Sequence, residues 1–98
     1  MNASRLLTDR YIKVMKHCIG LDRAKPYKRH GKLFYRPFRN YFETGPNCDG
    51  VDIWLDLEKH GYAIRGFAYW EWTFMLTDYA LDCLGEHLGV KIYNRTEY

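Results

Sequence analysis

The sequence predicts an α+β fold with three to four helices and a small antiparallel β-hairpin. Three stretches of the chain place apolar residues at helical spacing, and an aromatic-rich stretch with strand-like alternation lies between the last two. The 98 residues contain 47% hydrophobic and 17% aromatic side chains, which is enough for one modest core and argues against disorder. We therefore expect a single domain over residues 1–98.

The first predicted helix has Thr8 as its N-cap, with Ser4 as the alternative, and runs to about Ile19. Gly20 follows, and glycine is the residue that most often ends a helix in the left-handed conformation. The apolar positions at helical spacing are Tyr11, Ile12, Met15, Cys18 and Ile19.

Residues 23–42 form the basic-aromatic segment, RAKPYKRHGKLFYRPFRNYF. Pro26 and Pro37 exclude one continuous helix, because each removes a backbone donor and restricts the preceding residue. Residues 32–36 alternate and predict a short strand, while Pro37 favours a short helix over residues 38–42.

A turn-rich stretch at residues 44–50 precedes the second clear helix, residues 51–60, for which Asp49 is the expected cap. Ile53, Trp54 and Leu57 form its expected core face.

The hairpin is predicted from residues 62–64 and 70–76, with Gly66 between the two strands. Within the second strand, Trp70, Trp72, Phe74 and Leu76 share one face. The last helix, about residues 78–88, has Thr77 as its expected N-cap, and residues 90–93 form an extended tail.

This order of elements is that of a winged-helix domain with an added C-terminal helix, so the α+β fold is predicted to be winged-helix-like. Much of the chain also resembles small uncharacterised phage and prophage proteins of Firmicutes. The similar pieces are HCIGLD (residues 17–22), PYKRHGKLFYRPFRNYF (26–42), LEKHGYA (57–63) and MLTDYALDCLGEHLGVKIY (75–93). That resemblance implies a phage setting and no particular activity. Residues 57–63 with the following hairpin are also similar to winged-helix regulators of the MarR type.

The charge of the chain is divided between its two parts. Residues 1–42 contain eleven Lys/Arg and two Asp, giving +9, whereas residues 43–98 contain four Lys/Arg and ten Asp/Glu, giving −6. The basic-aromatic segment contains seven Lys/Arg, six aromatic residues and no acid. Cations interleaved with rings suit phosphates and stacked bases.

Ten side chains of this segment are the candidate partner-binding residues. The cations supply phosphate contacts, the tyrosines supply stacking surfaces, and the Arg39–Asn40 pair has the chemistry to read a base edge or a backbone loop of a protein partner. The candidates are Lys25, Tyr27, Lys28, Arg29, Lys32, Tyr35, Arg36, Arg39, Asn40 and Tyr41.

Alternatives stay open for this segment. Phe34, Phe38 and Phe42 are expected in the core, with the tyrosines more exposed. The cations have a second possible role, pairing with the acidic helix of the same chain or of a second copy, so a homodimer is left open. Asn40 is equally suited to bonding its own neighbouring backbone in a turn.

The helix before the hairpin, which would read DNA in an ordinary winged-helix protein, is acidic. Asp49, Asp52, Asp56 and Glu58 oppose a polyanion, with Lys59 as the compensating cation. Docking of this helix in a major groove is therefore not expected. Its acids are better explained as a solvated face.

No catalytic constellation, cofactor motif or metal-ligand spacing stands out. Cys83 and His87 share a helix face without a second pair, and the three cysteines are interpreted as reduced thiols. The N-terminal residues lack the apolar core of a signal peptide, and no apolar run has the length of a membrane span, so a cytoplasmic location in a host cell is expected.

We therefore predict a non-enzymatic, phage-type protein that binds an anionic partner, most readily nucleic acid, through the basic-aromatic segment. The alternative is a phage inhibitor of a host nucleic-acid-handling protein or defence complex, of the anti-CRISPR kind, acting by protein–protein contacts.

Overall fold

The computed structural model describes residues 8–45, 50–68 and 71–94. Within these ranges the chain forms three helices and six strands, which confirms the predicted α+β class. They are α1 (Asp9–Cys18), β1 (Tyr27–Arg29), β2 (Lys32–Tyr35), β3 (Phe42–Thr44), α2 (Val51–Lys59), β4 (Ala63–Ala68), β5 (Glu71–Leu76), α3 (Asp78–Leu88) and β6 (Val90–Ile92).

The strands form two three-stranded sheets. Sheet A has the order β1-β2-β6, with β1 antiparallel and β6 parallel to the central β2. Sheet B has the order β3-β5-β4 and is antiparallel throughout. Helices α1 and α3 pack on β5, α2 packs on β4, and α3 also packs on β6. Helix α3 therefore connects the cores of the two sheets.

All three long helices form where the sequence predicts them. Ile12, Met15 and Cys18 of α1 are buried, as are the three expected core residues of α2. Helix α3 has the predicted cap, because Thr77 Oγ1 accepts a hydrogen bond from the Ala80 amide at 3.1 Å. The Gly50 backbone is the N-cap of α2, while Asp49 lies outside the described residues.

The predicted short helix over residues 38–42 is wrong. Residues 36–41 contain no helix, and the chain then extends into β3, which pairs with β5. Phe42 lies opposite Phe74 in this pairing and stacks on Trp54, with ring centroids 5.5 Å apart. Burial of Phe42 against distant aromatic residues outweighs the local preference that Pro37 suggests.

Sheet B also corrects the predicted hairpin. Gly66 does not separate the two strands, because it lies inside β4 opposite Thr73. In β5 the expected alternation holds for the described side chains, since Phe74 and Leu76 are buried while Met75 is exposed. Trp70 lies outside the described residues. The extended tail is strand β6, and β1 is a strand that the sequence analysis did not predict.

The close approach of α3 to β6 depends on Gly85. A Cβ at this position would lie 2.3 Å from the Val90 carbonyl oxygen, which belongs to the backbone. Alanine is normally better than glycine inside a helix by about 1 kcal/mol. At Gly85 we expect the opposite sign, with Gly85→Ala lowering the free energy of unfolding by about 1–3 kcal/mol through overpacking.

Urea unfolding monitored by circular dichroism measures this effect. Gly66→Ala is the matched control, because a Cβ there would lie an ordinary 3.7 Å from the Thr73 carbonyl oxygen. The control should keep or slightly raise stability. An increase in stability for Gly85→Ala would show that β6 does not require this close contact.

Candidate nucleic-acid interface

A tight turn joins β1 to β2 and brings the basic residues onto one hairpin. His30 and Gly31 both have positive φ, 53° and 77°, which is the pattern of a type I′ turn. This turn sets the register, with Arg29 opposite Lys32 and Tyr27 opposite Phe34. Histidine is among the few non-glycine residues that adopt this conformation readily.

Strand alternation divides sheet A into two faces. Leu33, Tyr35, Val90 and Ile92 share the face turned toward α1 and α3, and the last three of these are buried. The opposite face, which we call the ring face, combines aromatic and basic side chains from all three strands and from the residues that directly follow two of them. Its members are Tyr27, Arg29, Lys32, Phe34, Arg36, Lys91 and Tyr93.

Three aromatic rings form a row across the ring face. The centroids of Tyr27 and Phe34 are 5.8 Å apart, and those of Phe34 and Tyr93 are 6.2 Å apart. The planes differ by only 24° and 18°, so the three rings are nearly parallel. Tyr27 is 40% exposed, which leaves ring surface accessible at the β1 end of the row.

Within the described part of the chain, the ring face has four charged residues, and all four are cations. The Arg36 guanidinium lies 5.6 Å from the Tyr93 centroid, and Lys91 Nζ lies 5.3 Å from the same centroid. Arg29 and Lys32 are exposed cross-strand neighbours at the turn end. Positive charge and π surface are therefore adjacent on one side of one sheet.

Three candidate cations lie off the ring face, namely Lys25, Lys28 and Arg39, of which Arg39 is described below. Lys28 pairs opposite Leu33 and so lies on the other face of the hairpin. Lys25 lies at a groove of about 400 Å³, to which Arg23 and Leu33 also contribute. The basic-aromatic segment thus supplies cations to two sides of sheet A.

Two further candidates stabilise the fold. Tyr35 is only 3% exposed, and its hydroxyl donates a hydrogen bond to the Ile19 carbonyl at 2.8 Å, so its ring is not available for stacking. Arg39 Nη2 donates to the His17 carbonyl at 2.7 Å, near the C-terminus of α1, and lies 3.9 Å from Asp22 Oδ1. Asp22 also contacts His17 Nδ1 at 2.8 Å, and this hydrogen bond lowers the pKa of the Asp22 carboxyl.

Asn40 binds the backbone of its own chain at a distant residue. Its Nδ2 donates to the Leu76 carbonyl at 3.0 Å, and its Oδ1 accepts from the Leu76 amide at 2.8 Å. The side chain therefore holds the end of β5 as a neighbouring strand would. Neither a partner-reading role nor a local turn describes this contact, which joins positions 36 residues apart. Tyr41 follows and is 51% exposed, away from the ring face.

The expectation that phenylalanines are buried and tyrosines exposed is only partly right. Phe38 is 55% exposed and packs near the Arg39 guanidinium, whereas Tyr35 is in the core. Phe34, which the sequence analysis assigned to the core, lies in the middle of the ring row. Strand alternation explains the exchange, because Phe34 and Tyr35 are neighbours and must lie on opposite faces.

The acidic residues of α2 lie on its solvent side, as the sequence indicates. Asp52 and Asp56 are exposed, while Trp54 and Leu57 are fully buried. Arg10 of α1 lies 4.0 Å from Asp52, and the Tyr11 hydroxyl donates to Asp56 at 3.1 Å. These contacts do not change the sign of the helix, which presents carboxylates to any approaching phosphate.

Besides Phe34, which was expected in the core, Lys91 and Tyr93 are the ring-face residues that sequence reasoning missed. They join the site because β6 pairs in parallel with β2, which places Lys91 opposite Phe34. A signal was present in the alternation of Val90, Lys91, Ile92 and Tyr93. The alternation alone does not indicate which strand they accompany.

Other kinds of site receive little support from the described residues. No group of three or more His, Cys, Asp or Glu side chains there is arranged to hold a metal ion. Burial raises the pKa of the Cys18 thiol to about 12, so this thiol stays protonated and unreactive. In the same ranges, no helix has the length and apolar character needed to cross a membrane.

The fold and the ring face together define a small α+β protein with a basic, aromatic sheet surface. The chain matches no protein-family model, no curated protein and no solved structure.

Proposed function

We propose that this protein is a non-enzymatic nucleic-acid-binding protein that uses the ring face of sheet A. The observation that carries this proposal is the row of Tyr27, Phe34 and Tyr93 surrounded by cations on one sheet face. Cations neutralise phosphates, and aromatic rings give bases a surface on which to stack. The combination suits a nucleic acid better than it suits a simple anion.

The distribution of charge supports the same surface. The exposed acids of α2, Asp52 and Asp56, repel phosphate, whereas the described charged positions of the ring face attract it. We also propose that the domain is winged-helix-like, with α2 as the recognition helix and β4–β5 as the wing, and that the protein is of phage origin. The bound nucleic acid then lies away from the usual recognition helix.

The salt dependence of binding tests this proposal. Purified, nuclease-treated protein is titrated against fluorescently labelled oligonucleotides in a series of salt concentrations. If each of the four ring-face cations contacts one phosphate, the slope of log Kobs against log[salt] is about −2.8 on single strands and about −3.6 on duplex DNA. Changing both Arg29 and Lys32 to glutamine should reduce the magnitude of the slope by about half, because two of the four contacts are lost.

The matched control changes two exposed cations outside the ring face, Lys13 and Lys59, to glutamine. This double variant has the same net charge as the Arg29/Lys32 variant and should keep most of the slope. Equal slopes in the two double variants would contradict the ring face as the binding surface. Absence of binding at low salt in the unmodified protein would contradict the proposed function.

The alternative function, a phage inhibitor of a host nucleic-acid-handling protein, stays a hypothesis. It predicts a protein complex that survives nuclease treatment. It also predicts that changing Arg29 and Lys32 to glutamine does not reduce the slope of log Kobs against log[salt] on oligonucleotides. The titration above therefore separates the two functions.

A further inference from the structure

We infer that the ring face selects single-stranded over double-stranded nucleic acid. This inference rests on the proposed function and names the class of ligand for the same site. It is carried by the geometry of the three rings, by the width of sheet A and by the acidic residues that lie near its β6 edge.

Solvent-exposed ring surface can stack on unpaired bases more readily than on the paired, stacked bases of a duplex. The rings of Tyr27, Phe34 and Tyr93 are nearly parallel. Neighbouring ring centroids lie about 6 Å apart, one ring on each of the three strands or directly after it. In a duplex the faces of the bases are covered by their neighbours, so side-chain rings on a flat surface meet only the backbone and groove edges. A single strand can turn its bases toward the sheet and stack them on accessible ring surface.

The width of sheet A argues against insertion into a duplex groove. A major groove about 12 Å wide admits one helix or a two-stranded ribbon. The basic hairpin is not an isolated ribbon, because β2 is the central strand and β6 continues the sheet on its other side. Three strands span about 10 Å between the outer strand axes before side chains are added, which leaves no room in the groove.

Acidic residues border the surface at its β6 edge. Lys91 shares a small depression with Asp78 and Asp82 of α3, both of which are exposed. These carboxylates disfavour phosphates on that side of Lys91. The favourable path for a phosphate backbone is therefore along β1 and β2, past Arg29 and Lys32, with the bases turned toward the ring row. A narrow, flexible chain can follow this path, whereas a duplex would bring its second backbone over the acids.

The test compares a single-stranded oligonucleotide with a duplex of the same length at one salt concentration. We expect the single strand to bind at least about tenfold more tightly. Tyr27→Leu and Tyr93→Leu should each weaken single-strand binding by about 5- to 150-fold, the range expected for loss of one base–aromatic contact. Tyr27→Phe keeps the ring and should keep most of the affinity.

Tyr41→Leu is the matched control, since this tyrosine is similarly exposed but lies off the ring face. Circular dichroism of every variant identifies any that fails to fold, in which case the other ring variant, Tyr27→Leu or Tyr93→Leu, is compared with Tyr41→Leu. Duplex binding as tight as single-strand binding would overturn the inference, as would unchanged affinity in the ring variants. If Arg29/Lys32 neutralisation still weakens binding in that case, the proposed function survives. If neither oligonucleotide binds, the proposed function itself is wrong.

Discussion

Replacing Trp54 with alanine is expected to lower the free energy of unfolding by about 3–5 kcal/mol, which is the usual cost of removing a large buried aromatic side chain. Trp54 is fully buried and stacks on both Phe42 and Phe74, at 5.5 and 5.4 Å between centroids. These contacts join α2 to both β3 and β5. A loss of this size is comparable with the whole stability of many small domains. Chemical denaturation followed by tyrosine and tryptophan fluorescence measures it.

Trp54→Phe is the informative control. The indole Nε1 is buried and has no hydrogen-bond partner among the described residues. Phenylalanine keeps a ring between Phe42 and Phe74 and removes this unpaired donor, whose burial itself costs about 1–3 kcal/mol. We therefore expect Trp54→Phe to be much milder than Trp54→Ala. Equal losses in the two variants would mean that the stacked rings are not the main source of the stability.

The helices could be predicted from the sequence because their signals are local. Thr77 before α3 and Gly89 after it mark both ends, and the apolar spacing between them identifies the buried face. Each of these signals acts within one or two helical turns. The same is true of the alternation in β2, which places Leu33 and Tyr35 on one face of the strand and Lys32 and Phe34 on the other, as the strand register does.

The strands that required distant partners could not be predicted in the same way. Residues 38–42 contain proline-adjacent aromatic residues that suit a short helix, and only pairing with β5, about 30 residues later, makes Phe42 extended. Likewise, β6 becomes part of the candidate site only through its parallel pairing with β2. Pairings of this kind join residues that are far apart in the sequence and leave no local signature.

The charge pattern indicates which segment carries the candidate site, but it does not indicate which side chains of that segment share one face. Composition drew attention to residues 23–42, and four of the candidates from that segment, Tyr27, Arg29, Lys32 and Arg36, lie on the ring face. Composition does not distinguish a cation on one face from its neighbour on the other. The turn at His30–Gly31 makes that distinction, because it fixes the register and so decides which cations accompany the rings.

Replacing Asn40 with leucine is expected to lower the free energy of unfolding by about 2–4 kcal/mol. Leucine has nearly the same shape, but it leaves the Leu76 amide and carbonyl without their two side-chain partners, and each unpaired buried group costs about 1–3 kcal/mol. The Cys18 thiol, which donates to Asn40 Oδ1 at 3.4 Å, loses its acceptor as well. Urea unfolding measures the loss.

Two comparisons separate this structural role from a partner-reading role. Tyr41→Leu, at the next, exposed position, should change the free energy of unfolding by no more than about 0.5 kcal/mol. Oligonucleotide titrations at low temperature, where the folded fraction of Asn40→Leu is high, should give nearly unmodified affinity after correction for unfolded protein. An Asn40→Leu variant that keeps its stability but binds oligonucleotides weakly would reverse the assignment. In that case Asn40 would contact the ligand, and the binding surface would extend from the ring face toward the end of β5.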